Sequence, residues 1–218
     1  MTGKGGTAMS STDREGDSRS SDDRILGIVV RMLETDGYDA VQLREVAKRS
    51  RTSLATIYKR YPTRDDLILA ALQAWLDENR YAKVSRRERA PDETVYEAMA
   101  GLFRTIFEPW ERHPEMLVAY HRARSSTTGS ALLHRGLDVV VPAAMDALAG
   151  VDERFIADLD AVISSLVYGL LGRFAAGEIA ITDIVPSLER AIYWMTAGYD
   201  ASKSMNNSVS PRSRNVGS

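Results

Sequence analysis

Cysteine is absent from the 218 residues, which excludes disulfides and thiol catalysis and makes the cytosol the expected compartment. No run approaches the roughly 18 consecutive apolar residues of a membrane span, and the N-terminus has no apolar signal-peptide core, so no membrane association is expected. The three histidines, His113, His121 and His134, lack metal-ligand spacing such as His-Glu-x-x-His. Phosphate loops, dinucleotide glycine patterns and Gly-x-Ser-x-Gly elbows are missing too. Nothing therefore specifies an enzyme, a metal or a cofactor. Period-two alternation and internal repeats are also absent.

What is present is helical spacing almost throughout, in a chain with 44% hydrophobic residues, enough for a packed core. Ser20-Ser21-Asp22-Asp23 supplies an N-cap and an acidic first turn ahead of Ile25, Ile28, Val29 and Met32, and Gly37 can close that helix. Val95, Met99, Leu102, Phe103, Ile106, Phe107 and Trp110 step by three or four. Leu133 to Met145 repeats the pattern around Pro142, where a kink is expected. A wide stripe from Phe155 to Phe174 and a last one from Ile184 to Met195 follow. The chain reads as all-α. Residues 1–21 and 201–218, rich in Gly, Ser and charge, read as unstructured tails.

Between Gln42 and Arg64 the pattern tightens. Leu43, Val46 and Ala47 mark a short helix ending near Arg49-Ser50, and Ser53 can cap a second that carries Leu54, Ile57, Tyr58 and Tyr61 on one side. Pro62 ends that helix, and Thr63 caps a longer one with Asp65 and Asp66 in its first turn and Leu67, Ile68, Ala71, Leu72 and Trp75 on its apolar face. Two short helices joined by a three- or four-residue turn form a helix-turn-helix, which can lay its second helix in the DNA major groove. Seven bases (Arg44, Lys48, Arg49, Arg51, Lys59, Arg60, Arg64) against Glu45 give the segment +6, while the rest carries −8 of a net −2. A basic segment on an acidic body is the footprint of a phosphate-binding face.

The stretch "GYDAVQLREVAKRSRTSLATIYKRYPTRDDLI" resembles the N-terminal signature of TetR-type transcriptional regulators. The match lies in the aromatic after Gly37, the Val46-Ala47 pair, Ser53 opening the recognition helix, Thr56-Ile57-Tyr58, Tyr61, and the Thr63-Arg64-Asp65 start of the fourth helix. Gln42, Arg51, Ala55 and Arg60 stand where Thr, Gly, Gly and His are common. Within the family, "GYDAVQLREVA" is similar to repressors that control sterol breakdown in actinobacteria, which suggests sterol or fatty acyl-CoA effectors.

The resemblance implies an N-terminal three-helix DNA-binding domain over 22–66 and a larger helical ligand-binding and dimerisation domain over 67–200. The expected partners are double-stranded DNA bearing a palindromic operator, a second copy of the chain, and a small apolar effector. Gln42 would cap the second helix against a phosphate, with Arg44 nearby. Ser53, Ala55, Thr56 and Tyr58 would face the groove, with Tyr58 and Tyr61 partly anchoring the helix. Lys59 and Arg60 would reach bases or phosphates, and Arg64 would grip phosphate. Leu54 and Ile57 are core.

Helices near Asp152–Gly177 and Ile181–Tyr199 would form a four-helix homodimer interface. Phe103, Phe107, Trp110, Met116, Tyr120, Leu137, Val141 and Tyr168 would wall the effector pocket, with His121 and Arg124 as polar contacts. A ligand there would move the helix that starts at Thr63. The competing reading is an α-helical lipid or acyl carrier, which would share the pocket but have no need of the +6 segment.

Overall fold

The computed structural model describes residues 11–84, 89–124 and 129–209. Among these there are nine α-helices and no strand: α1 (Ser11–Thr35), α2 (Leu43–Ser50), α3 (Leu54–Arg60), α4 (Arg64–Asn79), α5 (Val95–Arg112), α6 (Pro114–Arg124), α7 (Ser130–Ala147), α8 (Glu153–Ala175) and α9 (Ile184–Val209). The all-α expectation holds. The expected tails do not hold over their inner parts. Helix α1 starts at Ser11 rather than at Ser20-Ser21, and α9 continues past Ala201 to Val209. Extending a formed helix costs little once its nucleus is stabilised by packing, so polar turns can ride on a packed one. The remainder of both expected tails, 1–10 and 210–218, lies outside the described residues.

The chain forms two compact units. The first takes Met1–Glu78 together with Glu115–Leu133, and the second Asn79–Pro114 together with His134–Ser218. The head therefore does not stop at Asp66: it keeps all but the end of α4, and it includes most of α6. In this first unit the α1 stripe (Ile25, Val29, Leu33) is fully buried, as are Val46 of α2, Ile57 of α3 and the α4 row Leu67, Ile68, Ala71, Leu72 and Leu76. Met116, Leu117 and Tyr120 of α6 are buried as well. Each helix buries only one face, the arrangement a period of 3.6 produces.

Capping sets where these helices begin. Thr63 Oγ1 accepts from the Asp66 N–H at 3.1 Å while Asp66 Oδ2 accepts from the Thr63 N–H at 3.1 Å, a reciprocal cap that starts α4 just past Pro62. Thr94 and Glu97 form the same box at the start of α5.

In the second unit α5 and α8 both pack on α9. Phe103, Ile106, Phe107 and Trp110 of α5 are buried, with Leu159, Ile163 and Leu170 of α8 and Ile184, Leu188 and Ile192 of α9. Helix α7 runs through Pro142 without interruption. Helix α8 is, by length and composition, apolar enough to cross a membrane, yet only 22% of that apolar stretch is buried within the chain. Much of its surface waits for something to cover it.

Candidate nucleic-acid interface

Helices α2 and α3 are joined by Arg51, Thr52 and Ser53. Arg51 closes α2 in the left-handed region, at φ 53° and ψ 36°, and among the described residues it is the one non-glycine at positive φ. This conformation lets the Thr52 N–H reach back to the Ala47 carbonyl at 3.1 Å, which turns the chain sharply. Ser53 Oγ then accepts from the Thr56 N–H at 3.1 Å and starts α3. Ile57, fully buried, pins the short helix to the core, and Leu54 is half-buried.

The left-handed region costs an L-residue about 1–2 kcal/mol, which glycine escapes at an entropic cost of about 0.5–1 kcal/mol. Arg51→Gly is therefore expected to stabilise the protein by about 0.5–1 kcal/mol. That is a rise in melting temperature of about 2 °C for a chain of this size, read by calorimetry. A fall instead would mean that the Arg51 side chain contributes more to the fold than its backbone costs.

The seven bases divide into two groups. Three are committed to the fold. Arg49 binds Asp36 at 2.6 Å and Glu45 at 2.7 Å, and Arg49, ahead of Thr35, holds the Asp36 carboxyl below the usual carboxylate range. Arg60 pairs with Asp22 at the start of the packed part of α1. Arg64 donates through Nε to the Val41 carbonyl at 2.6 Å and through Nη2 to the Tyr38 carbonyl at 2.5 Å, with its guanidinium 4.7 Å from the Tyr38 ring centroid.

Arg122 of α6 also packs on Tyr38, its guanidinium 4.5 Å from the ring centroid, and grips Asp39 in a fork at 3.0 and 2.8 Å. Burial, ahead of the nearby charges, pushes the Tyr38 phenol up, and Arg122 holds the Asp39 carboxyl down. Arg64 and Arg60, both expected at DNA, are engaged within the first unit by these bonds. Gln42 is the N-cap residue of α2, as expected, but its side chain makes no capping bond and donates instead to the Asp39 carbonyl at 3.1 Å.

The other four bases, Arg44, Lys48, Arg51 and Lys59, are exposed, and their side chains make no ion pair or hydrogen bond among the described residues. Arg44 and Lys48 lie one turn apart on α2. Lys59 shares the outer face of α3 with Ala55 and Tyr58, which are also exposed. Thr56 is half-buried, its hydroxyl 2.7 Å from that of Ser53. Tyr61 is half-buried, and burial raises its phenol above the ordinary value. The arrangement presents one aromatic, two small groups and a set of uncommitted cations on a short helix and its neighbour.

The expected effector residues fall in both units. Met116, Tyr120, His121 and Arg124 belong to the first unit, and Phe103, Phe107, Trp110, Leu137, Val141 and Tyr168 to the second. Phe103 and Phe107 stack at 6.4 Å and Trp110 receives the Arg80 guanidinium at 5.4 Å, so these aromatics are core. Met116 and Tyr120 are core too. Burial, then Arg124, pushes the His121 imidazole down. Leu137, Val141 and Tyr168 are 47%, 47% and 44% exposed.

A cavity of about 220 Å³ instead lies in the second unit between α5 and α7, where Ala98, Gly101 and Thr105 face Ala143 and Ala147. Lys83 and Arg89 stand on its wall. Small residues at helical spacing on both helices were the signal for it in the sequence.

Residues 28–71 match the family described as "Bacterial regulatory proteins, tetR family", and residues 92–195 match "Tetracyclin repressor-like, C-terminal domain". The chain is 27% identical over 166 residues to the HTH-type transcriptional repressor KstR of Rhodococcus jostii, covering 72% of this chain and 76% of that one. It is 40% identical over 47 residues to an uncharacterized HTH-type transcriptional regulator of Mycobacterium bovis, 22% of this chain and 23% of that one. Among solved structures, a TetR transcriptional regulator from Rhodococcus sp. RHA1 superposes with a TM-score of 0.59 at 18% identity, covering 79% of this chain and 95% of that one. A TetR-like regulator from the same source gives 0.57 at 15% identity, covering 82% and 96%.

Proposed function

Since this chain belongs to the TetR family of DNA-binding transcriptional regulators, which are not enzymes, we propose that it is a homodimeric repressor that holds a palindromic operator and releases it when a small apolar effector binds. It would act in the cytoplasm. The observation that supports DNA binding is the division of the bases. Arg44, Lys48, Arg51 and Lys59 are left exposed on α2, α3 and the turn between them, on a helix-turn-helix whose other bases are held by the fold. Exposed, unpaired cations are what phosphate contacts need, and Ala55, Tyr58 and Lys59 lie where a groove-reading face would be. A carrier without DNA binding has no use for that set.

Exposed apolar side chains on α8 and α9 support the pairing of two chains. Val162, Tyr168, Tyr193, Trp194 and Met205 are all exposed. A second copy offering the same patch about a two-fold axis would cover them, and a dimer brings two α3 helices to one two-fold symmetric site.

The route of the switch follows chain order. Helix α5 lines the cavity and continues through His113 into α6, which Arg122 fastens to Asp39 and Tyr38 of the head. An effector that favours one position of α5 biases α6 and so the head. Coupling of this kind is typically about 1–3 kcal/mol, or roughly 5–150-fold in operator affinity.

Selection from a pool of random duplexes at low salt tests the reading. It is expected to enrich a two-fold symmetric sequence with half-sites about one helical turn apart. A folded protein that enriches nothing would be a ligand carrier.

A further inference from the structure

The α5–α7 cavity carries two features that fit one class of ligand. Its helical walls are small or apolar at Ala98, Gly101 and Leu102 on α5 and Ala143 and Ala147 on α7, and Thr105, the polar residue among them, turns its hydroxyl to the Gly101 carbonyl at 2.9 Å. A Cβ built on Gly101 meets nothing within 4 Å, so the space at that point is open. Its polar wall is cationic. Arg89 is held by Nη1 donating to the Glu93 carbonyl at 2.9 Å and Nη2 donating to the Ala149 carbonyl at 3.1 Å, while its Nε is buried with no hydrogen-bond partner. Lys83 adds a second positive charge, and among the described residues no carboxylate is on the cavity wall. A guanidinium fixed by two backbone carbonyls keeps its full charge, and a buried donor left unsatisfied is costly. The group that answers both is an anion bound at Arg89.

Resting on the effector reading above, we propose that this cavity binds a small organic monocarboxylate, its apolar body between α5 and α7 and its carboxylate against Arg89 and Lys83. A cavity of about 150 Å³ holds benzene, so 220 Å³ suits a single aromatic ring with a short acid arm or a chain of about eight carbons. A four-ring sterol is too large for it as it stands, which separates this site from the effector class suggested by "GYDAVQLREVA".

The test is calorimetric titration of the full-length protein with octanoate, phenylacetate and, as the uncharged match, octanol. Octanoate or phenylacetate is expected to bind at one site per chain, at least tenfold more tightly than octanol. Arg89→Gln should erase that preference. Gly101→Leu should fill the cavity and abolish binding without lowering the melting temperature, since leucine is a better helix former than glycine.

Three results would each overturn the site: no binding of either acid at millimolar concentration, equal affinity for octanoate and octanol, or unchanged binding in Gly101→Leu. Operator affinity is read in parallel. Octanoate bound in the cavity with operator affinity unmoved upholds the site and sinks the effector role. Release of operator by another compound that persists in Gly101→Leu, with no acid bound, does the reverse.

Discussion

Changing Arg44, Lys48, Arg51 and Lys59 together to alanine is expected to remove most of the salt dependence of DNA binding while leaving the fold intact. Each phosphate contact contributes about 0.9 to the slope of log affinity against log salt, so four per chain, doubled by a dimer, amount to roughly seven units. None of the four side chains has a partner among the described residues, so their loss leaves no buried charge and no broken bond within the head.

Arg64→Ala is the contrasting variant. It removes two short bonds to the Val41 and Tyr38 carbonyls and a cation over the Tyr38 ring. Charged hydrogen bonds contribute about 1.5–3 kcal/mol. With the side chain 27% exposed, a loss of about 2 kcal/mol and about 4–8 °C in melting temperature is expected, with the salt slope of any remaining folded protein unchanged. Fluorescence anisotropy across a potassium chloride series, beside thermal melts, separates the two. If Arg64→Ala lowers the slope as Lys59→Ala does and leaves the melting temperature alone, the division of bases is wrong.

That division was beyond the reach of the sequence, for a physical reason. The +6 between Gln42 and Arg64 weighs every base alike, but what commits a base is an acid or carbonyl brought up by the fold. Asp22 meets Arg60 from 38 residues away, Asp36 meets Arg49 from 13, and the Tyr38 carbonyl meets Arg64 from 26. Local signals fared better because their partners lie within a turn: Ser53 and Thr63 cap the helices expected of them. Apolar periodicity found the helices of the second unit but could not say which residues lie under a neighbour and which face outward. Leu137, Val141 and Tyr168 therefore read as pocket wall and stand exposed, while the α5–α7 cavity has alanines, a glycine and two cations among its lining residues.

The same ambiguity governs α8, whose stripe reads as buried on more than one side although this chain covers only some of it. Val162→Glu combined with Trp194→Glu is expected to convert the protein to a monomer and to weaken operator binding by about 10²–10⁴-fold, the range that two linked sites gain over one. Val162 is 48% exposed and Trp194 70%, so neither change opens a cavity or buries a charge within one chain. In a two-fold interface each substitution appears twice, and taking a carboxylate out of water without a partner costs several kcal/mol per ion. The choice of position matters. Leu170 on the same helix is buried within the chain, and Leu170→Glu would unfold the second unit instead of separating one copy from the other. Light scattering at micromolar concentration should give the single-chain mass of 24.1 kDa for the double variant, with helical content unchanged. A double variant that keeps twice that mass and full operator affinity would move the dimer interface off α8 and α9. One that is monomeric yet binds operator undiminished would show that a single α3 suffices, and the palindrome would then have no physical basis.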